Sequence, residues 1–194
     1  MEVVVGISGA SGAGYGIRLL QVLQGSEIHL ILTDSARKII ELETDFSSED
    51  VEDLADHVYV EDDFTAPIAS GSYRFDAMVI IPCSMKTLAG VASGLSDTLI
   101  GRSAEICLKD RRRLVMVPRE TPLSLIQLKN MVSVTEAGAV VLPACPAFYS
   151  KPQNLDDLID VLVGRVLDLI GVENNLYPRW KGNAYNGSDQ SELR

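Results

Sequence analysis

Short apolar runs of strand length alternate along the chain with longer stretches of helical periodicity. The apolar runs are rich in β-branched residues and lack a strict alternation of apolar and polar positions, which is typical of parallel strands buried on both faces. Six runs are predicted as strands: Glu2–Ser8, Glu27–Thr33, His57–Val60, Asp76–Pro82, Arg113–Pro118 and Ala139–Pro143. Helices are predicted at about 13–24, 34–43, 84–94, 98–110 and 121–132, and a last helix follows its N-cap Asn154 and runs to about Ile170.

Strand–helix alternation at this spacing predicts an α/β fold, a single-domain open parallel sheet with helices on both faces. We find no internal repeat and no linker, so we expect one domain over residues 1–182 and a polar C-terminal tail over 183–194. Open sheets of this kind bind ligands beyond the carboxyl ends of their strands, near the point where the strand order reverses. Residues that follow the strands are therefore the candidates for a functional site.

The segment that follows the first strand is dense in glycine and serine: Val3–Leu20 reads VVVGISGASGAGYGIRLL. One interpretation is a loop that places free N–H groups of a helix start against a phosphate. The other is a tight turn whose glycines only allow close helix–strand packing. No Gly-Lys-Ser/Thr follows, which excludes a P-loop, and Gly6, Gly9 and Gly12 match a dinucleotide fingerprint poorly. A mononucleotide site like that of flavodoxin fits better.

Polar residues also follow the other predicted strands. These positions are Thr33-Asp34, Pro82–Thr87, Pro118–Thr121 and Pro143–Pro146. Because parallel strands end at the same edge of a sheet, we expect their hydroxyls, an arginine and a carboxylate to converge there.

The composition of the chain disfavours several classes of function. The 194 residues include 17 basic and 27 acidic side chains, a net charge of −10 that disfavours binding to nucleic acid or an anionic membrane surface. No apolar run is long enough to span a membrane, and the first ten residues lack the features of a signal peptide. The three cysteines form no CxxC pair, so we predict reduced thiols in a cytoplasmic protein.

Several motifs together carry a resemblance to a known family. They are GISGASGAGYGIRLL, APIASGS, IIPCSMKTLAGVASGLSDTLIGRSAEICLKDRRRLVMVPRETPLS, GAVVLPACPAFYSKPQ and the closing YPRW. In this order, from Val3 to about Gly182, the chain resembles the UbiX family of flavin prenyltransferases. The resemblance implies a flavodoxin-like, Rossmann-like fold and transfer of a dimethylallyl group from dimethylallyl monophosphate to N5 and C6 of reduced FMN. It further implies a homododecamer, independence from metal, and delivery of prenylated FMN to decarboxylases of the UbiD type.

The resemblance also implies roles for individual residues. FMN contacts fall on Gly9, Ala10, Ser11, Thr33, Ser84, Met85, Lys86, Thr87 and Arg119. Substrate contacts fall on Phe64, Arg102, Lys109, Tyr149 and Arg165, and catalytic roles on Ser11, Glu43, Lys109 and Glu120. We expect a neighbouring subunit to supply part of the prenyl phosphate site. Some relatives carry Trp at the position of Phe64. Phenylalanine keeps the aromatic face that stabilises a cation but lacks the indole N–H.

Other interpretations stay open on the residues alone. Lys109 lies at a charged helix end that could simply be solvated, and Arg165 interrupts an apolar helix where it needs a partner or an exposed face. A flavin-dependent cysteine decarboxylase shares the fold and the early Gly/Ser loop, but that family carries a catalytic histidine. His29 and His57 are expected to be structural. A carrier that binds FMN without altering it is the third possibility.

Overall fold

The computed structural model describes residues 1–180 and 182. The predicted tail, residues 183–194, lies outside them. The strands are β1 (Glu2–Ile7), β2 (Glu27–Leu32), β3 (His57–Val60), β4 (Ala77–Cys83), β5 (Arg113–Pro118) and β6 (Val140–Val141). The helices are α1 (Ala13–Val22), α2 (Asp34–Glu43), α3 (Ser48–Glu52), α4 (Met85–Ser93), α5 (Leu99–Asp110), α6 (Leu125–Ala137) and α7 (Leu155–Ile170), with a 3-10 turn at Pro67–Ala69.

All six strands form one parallel sheet in the order β3-β2-β1-β4-β5-β6. This confirms the predicted open α/β architecture, flavodoxin-like in its layers and with the strand order of six-stranded Rossmann folds. The order reverses between β1 and β4, where Val3 pairs with Ala77 and Gly6 with Ile80. The carboxyl ends of these two strands therefore define the place where a ligand is expected.

Successive residues of β1 point to opposite faces of the sheet and enter different cores. Val3 and Val5 pack with residues of α1, α2 and α7, whereas Val4 packs with residues of α4, α5 and the 66–75 segment. Both faces are covered, which explains why the central strands lack alternation. The two edge strands differ: three of the four residues of β3 and one of the two residues of β6 are exposed.

Three details of the prediction were wrong. The short helix α3 was not expected, although Ser47 and Asp50 form a capping box at its start. α6 begins at Leu125 rather than 121, because Ser124 accepts a hydrogen bond from the Gln127 amide and caps the helix there. β6 contains two residues where five were predicted, since only Val140 and Val141 form the regular pairing with β5. Beyond them the Leu142 and Ala144 amides still donate to the Met116 and Pro118 carbonyls.

Three consecutive arginines at the junction of α5 and β5 donate hydrogen bonds to three separate parts of the fold. Arg111 donates to the Ala137 carbonyl at the end of α6, and Arg113 donates to the Ile170 carbonyl at the end of α7. Arg112 donates to the carbonyls of Gly71 and Tyr73. This run is therefore structural, since each guanidinium satisfies carbonyls that a chain turn leaves without partners.

The two histidines lie near the amino end of the sheet, away from the carboxyl edge. His29 is buried, and its ring nitrogens lie 2.8 Å from Glu2 Oε1 and 3.0 Å from the Tyr59 hydroxyl. Its ring stacks on His57 with centroids 4.6 Å apart. Both nitrogens of the buried histidine are thus satisfied within the core.

All three cysteines are free thiols, and burial raises the pKa of Cys107 to about 12. In the part of the chain that the structure describes, we find no helix long and apolar enough to cross a membrane.

Candidate active site

Three cavities are lined in part by residues that follow the strands. The first, of about 560 Å³, lies over α4 and includes Gly9; we call it the α4 cavity. The second, of about 760 Å³, is lined by Ser11, Glu43 and Arg119; we call it the Glu43 cavity. The third, of about 430 Å³, is lined by Tyr149 and Arg165; we call it the Arg165 cavity. The Gly/Ser loop separates the first two, and the loop after β6 separates the second from the third.

The buried Ser8 side chain fixes the point where the sheet order reverses. Its hydroxyl donates to the Pro82 carbonyl at 3.0 Å and accepts from the Ser84 amide at 2.8 Å. The Ser8 side chain therefore connects the start of the Gly/Ser loop to the end of β4 and to the start of α4. Ser8 was not among the predicted site residues, although its position directly after the first strand was the available signal.

Hydroxyl groups at two helix starts line the α4 cavity. Thr33 caps α2 by accepting a hydrogen bond from the Ala36 amide at 3.1 Å. Ser84 caps α4 by accepting a hydrogen bond from the Thr87 amide at 3.2 Å. The side-chain hydroxyls of Ser84 and Thr87 lie 3.0 Å apart. Two helix N-termini thus face one cavity, the arrangement that favours a phosphate. Met85 and the exposed Lys86 line the same cavity.

Gly9 leaves no room for a side chain at the wall of this cavity. A Cβ at that position would lie 2.5 Å from Ser35 Cβ, closer than any real contact. The loop therefore passes directly against the first turn of α2. Of the two interpretations of the glycine-rich segment, close packing holds for Gly9, and the same packing brings the loop backbone to the cavity edge.

Glu43 occupies the start of α1, which corrects one expectation. The sequence suggested free N–H groups there for a phosphate, but Glu43 Oε2 accepts from the Gly12 amide at 2.7 Å and from the Ala13 amide at 3.2 Å. Gly12 has φ of +104°, which turns its amide toward the carboxylate and favours glycine. The carboxylate takes the place that one interpretation of the Gly/Ser loop gave to an anionic ligand.

The charge of Glu43 is stabilised in that position. Partial burial raises its pKa, but hydrogen bonds from Ser11, Gly12 and Ala13 and the charge of Arg119 outweigh burial, so the pKa lies below its ordinary value. Arg119 Nε also donates to the Ser11 carbonyl at 3.1 Å. Glu43 and Arg119 therefore hold the same loop from two directions.

Glu120 follows Arg119 but lies in a different environment. Arg119 is half-buried against the loop, whereas Glu120 is exposed and its Oε1 accepts from the Thr121 amide at 2.9 Å. Neighbouring residues at a strand end point to different sides, so the two charges are available to different partners.

Tyr149 and Arg165 come together at the Arg165 cavity. The Tyr149 hydroxyl donates to the Pro178 carbonyl at 3.2 Å, and its ring meets Trp180 edge to face with centroids 5.6 Å apart. Arg165 projects from the exposed side of α7 and donates to Asp168 at 3.1 Å. A guanidinium, a phenol and an indole thus surround a cavity suited to a small anion that carries an apolar group.

Comparisons with known proteins identify relatives of this chain. The family model described as Flavoprotein matches residues 1–167. The flavin prenyltransferase UbiX of Thermoplasma acidophilum is 52% identical over 180 residues, which are 93% of this chain and 100% of the relative. The chain belongs to the UbiX family of flavin prenyltransferases.

Two solved structures of UbiX proteins have nearly the same fold. The structure of AnUbiX (PadA1) in complex with FMN and dimethylallyl pyrophosphate has a TM-score of 0.91 at 49% identity, covering 93% of this chain and 97% of the other. A dodecameric FMN-dependent UbiX-like decarboxylase from Escherichia coli O157:H7 has a TM-score of 0.91 at 47% identity, covering 94% and 100%.

Three residues suggested by the UbiX resemblance lie apart from the three cavities in this chain. Lys109 lies in the last turn of α5, just before β5 begins, and therefore near the amino edge of the sheet. Its Nζ lies beside Gly71. Arg102, on the first turn of α5, donates to the Ala69 carbonyl at 3.0 Å, and Phe64 is exposed on the segment after β3. Their roles remain predictions.

Reasoning from sequence missed the residues that surround Arg165. Asp168, Tyr177 and Arg179 form a hydrogen-bonded cluster with it beside the Arg165 cavity. The YPRW motif includes two of them, but only the fold shows that this segment returns to α7.

Proposed function

We propose that the protein transfers the dimethylallyl group of dimethylallyl monophosphate to N5 and C6 of reduced FMN and so makes prenylated FMN. The observation that carries this proposal is the set of three cavities lined by residues that follow the strands, in a chain of the UbiX family. The α4 cavity would hold the flavin phosphate, and the Arg165 cavity would hold a second small anion. The Glu43 cavity lies between them.

The residues of the α4 cavity fit the phosphate of FMN. Thr33, Ser84 and Thr87 supply hydroxyls at two helix starts, and Lys86 supplies a positive charge at the cavity wall. Gly9, Ala10 and Ser11 pass along the edge between this cavity and the next, where a flavin ring would contact their backbone. Met85 offers an apolar surface to the ring. Reduced FMN is a substrate here and provides the two nucleophilic atoms.

The Arg165 cavity fits the phosphate of the prenyl donor. When the allylic C–O bond breaks, charge develops on the phosphate oxygens, and cationic donors aimed at that phosphate stabilise the transition state. The proposed donors are Arg165 and Tyr149 of one subunit together with Lys109 of a neighbouring subunit. The exposed aromatic face of Phe64 would stabilise the allyl cation, also from a subunit contact, and Arg102 would support that segment through Ala69.

We assign different roles to the two carboxylates. Glu43 is already bound by loop donors and keeps a lowered pKa, which suits a residue that holds Ser11 and the loop in place. Glu120 is exposed and accepts only a local bond among the described residues, which suits a group that receives the proton lost from C6.

Assembly and partners follow from the same proposal. We propose a homododecamer in the cytoplasm that passes its product to a decarboxylase of the UbiD type. The three free thiols support a reducing compartment, and the position of Lys109 supports sites shared between subunits. A cysteine decarboxylase would need a catalytic histidine, and His29 and His57 lie near the opposite end of the strands. A carrier would have no use for the Arg165 cavity.

Anaerobic incubation with reduced FMN and dimethylallyl monophosphate, followed by mass spectrometry of the flavin, tests the proposal. We expect a flavin heavier by one C5 unit. An unchanged flavin with full FMN binding would favour the carrier, and CO₂ from a cysteinyl substrate would favour the decarboxylase.

A further inference from the structure

Asp168 lies at the centre of a cluster beside the Arg165 cavity. Its Oδ2 accepts from Arg165 at 3.1 Å and from the Tyr177 hydroxyl at 2.9 Å. Its carboxylate also binds both terminal nitrogens of Arg179, with Nη2 2.7 Å from Oδ1. Asn174 donates to Oδ1 at 3.0 Å. One carboxylate therefore fixes two guanidinium groups relative to each other.

The paired geometry of Arg179 is well defined. Both terminal nitrogens meet the two oxygens of one carboxylate, the bidentate arrangement that adds geometric specificity to a charged pair. Its guanidinium also lies over the Tyr177 ring, 4.7 Å from the centroid. Even so, 43% of its side chain is exposed, and Arg179 lines the Arg165 cavity next to Trp180.

Charge within the cluster depends on Arg179. Arg165 and Asp168 alone are neutral as a pair, because one guanidinium offsets one carboxylate. With Arg179 the cluster carries one positive charge, and Lys109 from a neighbouring subunit would add a second. A phosphate monoester carries nearly two negative charges at neutral pH, so the site matches its charge only when Arg179 is counted.

The segment that follows α7 packs against the surface of α7 at Gly164. A Cβ at Gly164 would lie 2.5 Å from Tyr177 Cδ1, so the Tyr177 ring packs directly on the backbone of α7, one residue before Arg165. Asn174 also donates to the Gly164 carbonyl at 3.2 Å. The segment after α7 is thereby held in register with Arg165, and Arg179 is delivered to the cavity.

We propose that Arg179 is a second guanidinium ligand of the prenyl donor's phosphate, and that Asp168 is the positioning residue that orients both arginines toward it. This inference rests on the proposed function and adds a residue to its donor site. Arg179 supplies charge and hydrogen-bond donors, whereas Asp168 acts through the arginines and does not itself contact the phosphate.

The test compares R179Q, R179K and D168N with K38Q, a control that removes an exposed charge from α2. Inorganic phosphate binding to the FMN-loaded protein is measured by calorimetry, without turnover, and KM is measured for dimethylallyl monophosphate and for reduced FMN. We expect R179Q to weaken phosphate binding and raise the donor KM by about tenfold to a hundredfold, with the KM for FMN unchanged. R179K should retain more phosphate affinity than R179Q.

D168N removes the common partner of both arginines but also removes one negative charge, so charge alone would tighten phosphate binding. If Asp168 positions the arginines, D168N should still weaken phosphate binding; equal or tighter binding would overturn the positioning role. Wild-type phosphate affinity in R179Q would overturn the inference, and so would equal losses in R179Q and R179K. These results are separable from the proposed function: a wild-type enzyme that makes prenylated FMN while R179Q binds phosphate normally removes only the role of Arg179. A wild-type enzyme that makes none removes the proposed function, whatever R179Q does.

Discussion

The Ser84 amide donates a 2.8 Å hydrogen bond to the Ser8 hydroxyl, which joins the end of β1 to the start of α4 across the switch point. Ser8 is buried, so Ser8→Ala leaves that amide without its partner. We expect a loss of about 1–3 kcal/mol in the free energy of unfolding, measured in urea, and weaker FMN binding. Ser93→Ala is the control, because its exposed hydroxyl bonds only to carbonyls of its own helix among the described residues. Equal stability of the two variants would contradict the role of Ser8.

Gly9→Ala should damage the α4 cavity by steric contact alone. The new Cβ would lie 2.5 Å from Ser35 Cβ, so the loop or the start of α2 must move. We expect FMN affinity, measured by fluorescence titration, to fall by about tenfold or more, since overpacking shifts backbone. Gly90→Ala lines the same cavity, where a Cβ would meet only the Leu95 carbonyl at 3.8 Å, and should bind FMN normally. Gly9→Ala combined with Ser35→Gly should recover part of the affinity; no recovery argues against this clash as the cause.

Glu43 should stabilise the protein in a pH-dependent manner. Its pKa is lowered in the folded state, so its contribution is complete above its ordinary pKa of 4.5 and is lost as pH falls through the folded value. We expect Glu43→Gln to be less stable than wild type at pH 7 by about 1 kcal/mol or less, because the side chain is exposed to solvent. The difference should shrink below pH 4.5 in denaturant unfolding from pH 7 to pH 3. A difference that stays constant with pH would remove the ionic role.

Within the described residues, the periodicity of apolar positions was enough to predict all six strands and six of the seven helices. These elements form because they bury apolar side chains, and the spacing of apolar positions in the sequence shows which residues can be buried together. The start of α6 was misplaced because its decisive feature is a side-chain cap at Ser124, which competes with several nearby Ser and Thr residues. Local hydrogen bonds of this kind are chosen by tertiary context.

The candidate site was predictable only where its residues follow a strand. Thr33, Ser84 and Arg119 could be placed at one edge because parallel strands end together. Glu43 lies at the far end of α2, and nothing in its local sequence shows that the helix returns its carboxylate to the start of α1. Asp168 and Arg179 are eleven residues apart and meet only because the chain reverses after α7.

Arg119 and Glu120 should separate in kinetic experiments. Arg119 binds the Ser11 carbonyl, so Arg119→Ala should loosen the loop and lower FMN affinity by about tenfold. Glu120→Gln keeps the size of an exposed side chain and should mainly lower kcat if it receives the C6 proton. FMN affinity comes from fluorescence titration, and kcat from single-turnover flavin prenylation. Two equal losses of affinity with no separate effect on kcat would contradict the division.

Lys109 and Tyr149 should act from different subunits. Lys109 lies near the amino edge of the sheet and Tyr149 beyond the carboxyl edge, and β5 of six residues alone spans about 20 Å between those edges. One chain therefore keeps the two side chains apart, and a shared donor site requires a neighbour.

Co-expression of Lys109→Ala and Tyr149→Phe chains tests this directly. Each variant alone should be nearly inactive in flavin prenylation, while a random mixture should regain about one quarter of wild-type activity, because a quarter of the sites then combine an intact Lys109 with an intact Tyr149. Tyr149→Phe mixed with Arg165→Ala is the matched control. Those two residues line one cavity of the same chain, so no mixture restores a complete site and activity should stay at the level of the single variants. No recovery in the first mixture would place Lys109 and Tyr149 in the same subunit's site, and full activity of Lys109→Ala alone would remove Lys109 from it. Recovery in the control would mean that Tyr149 and Arg165 of one chain serve different sites.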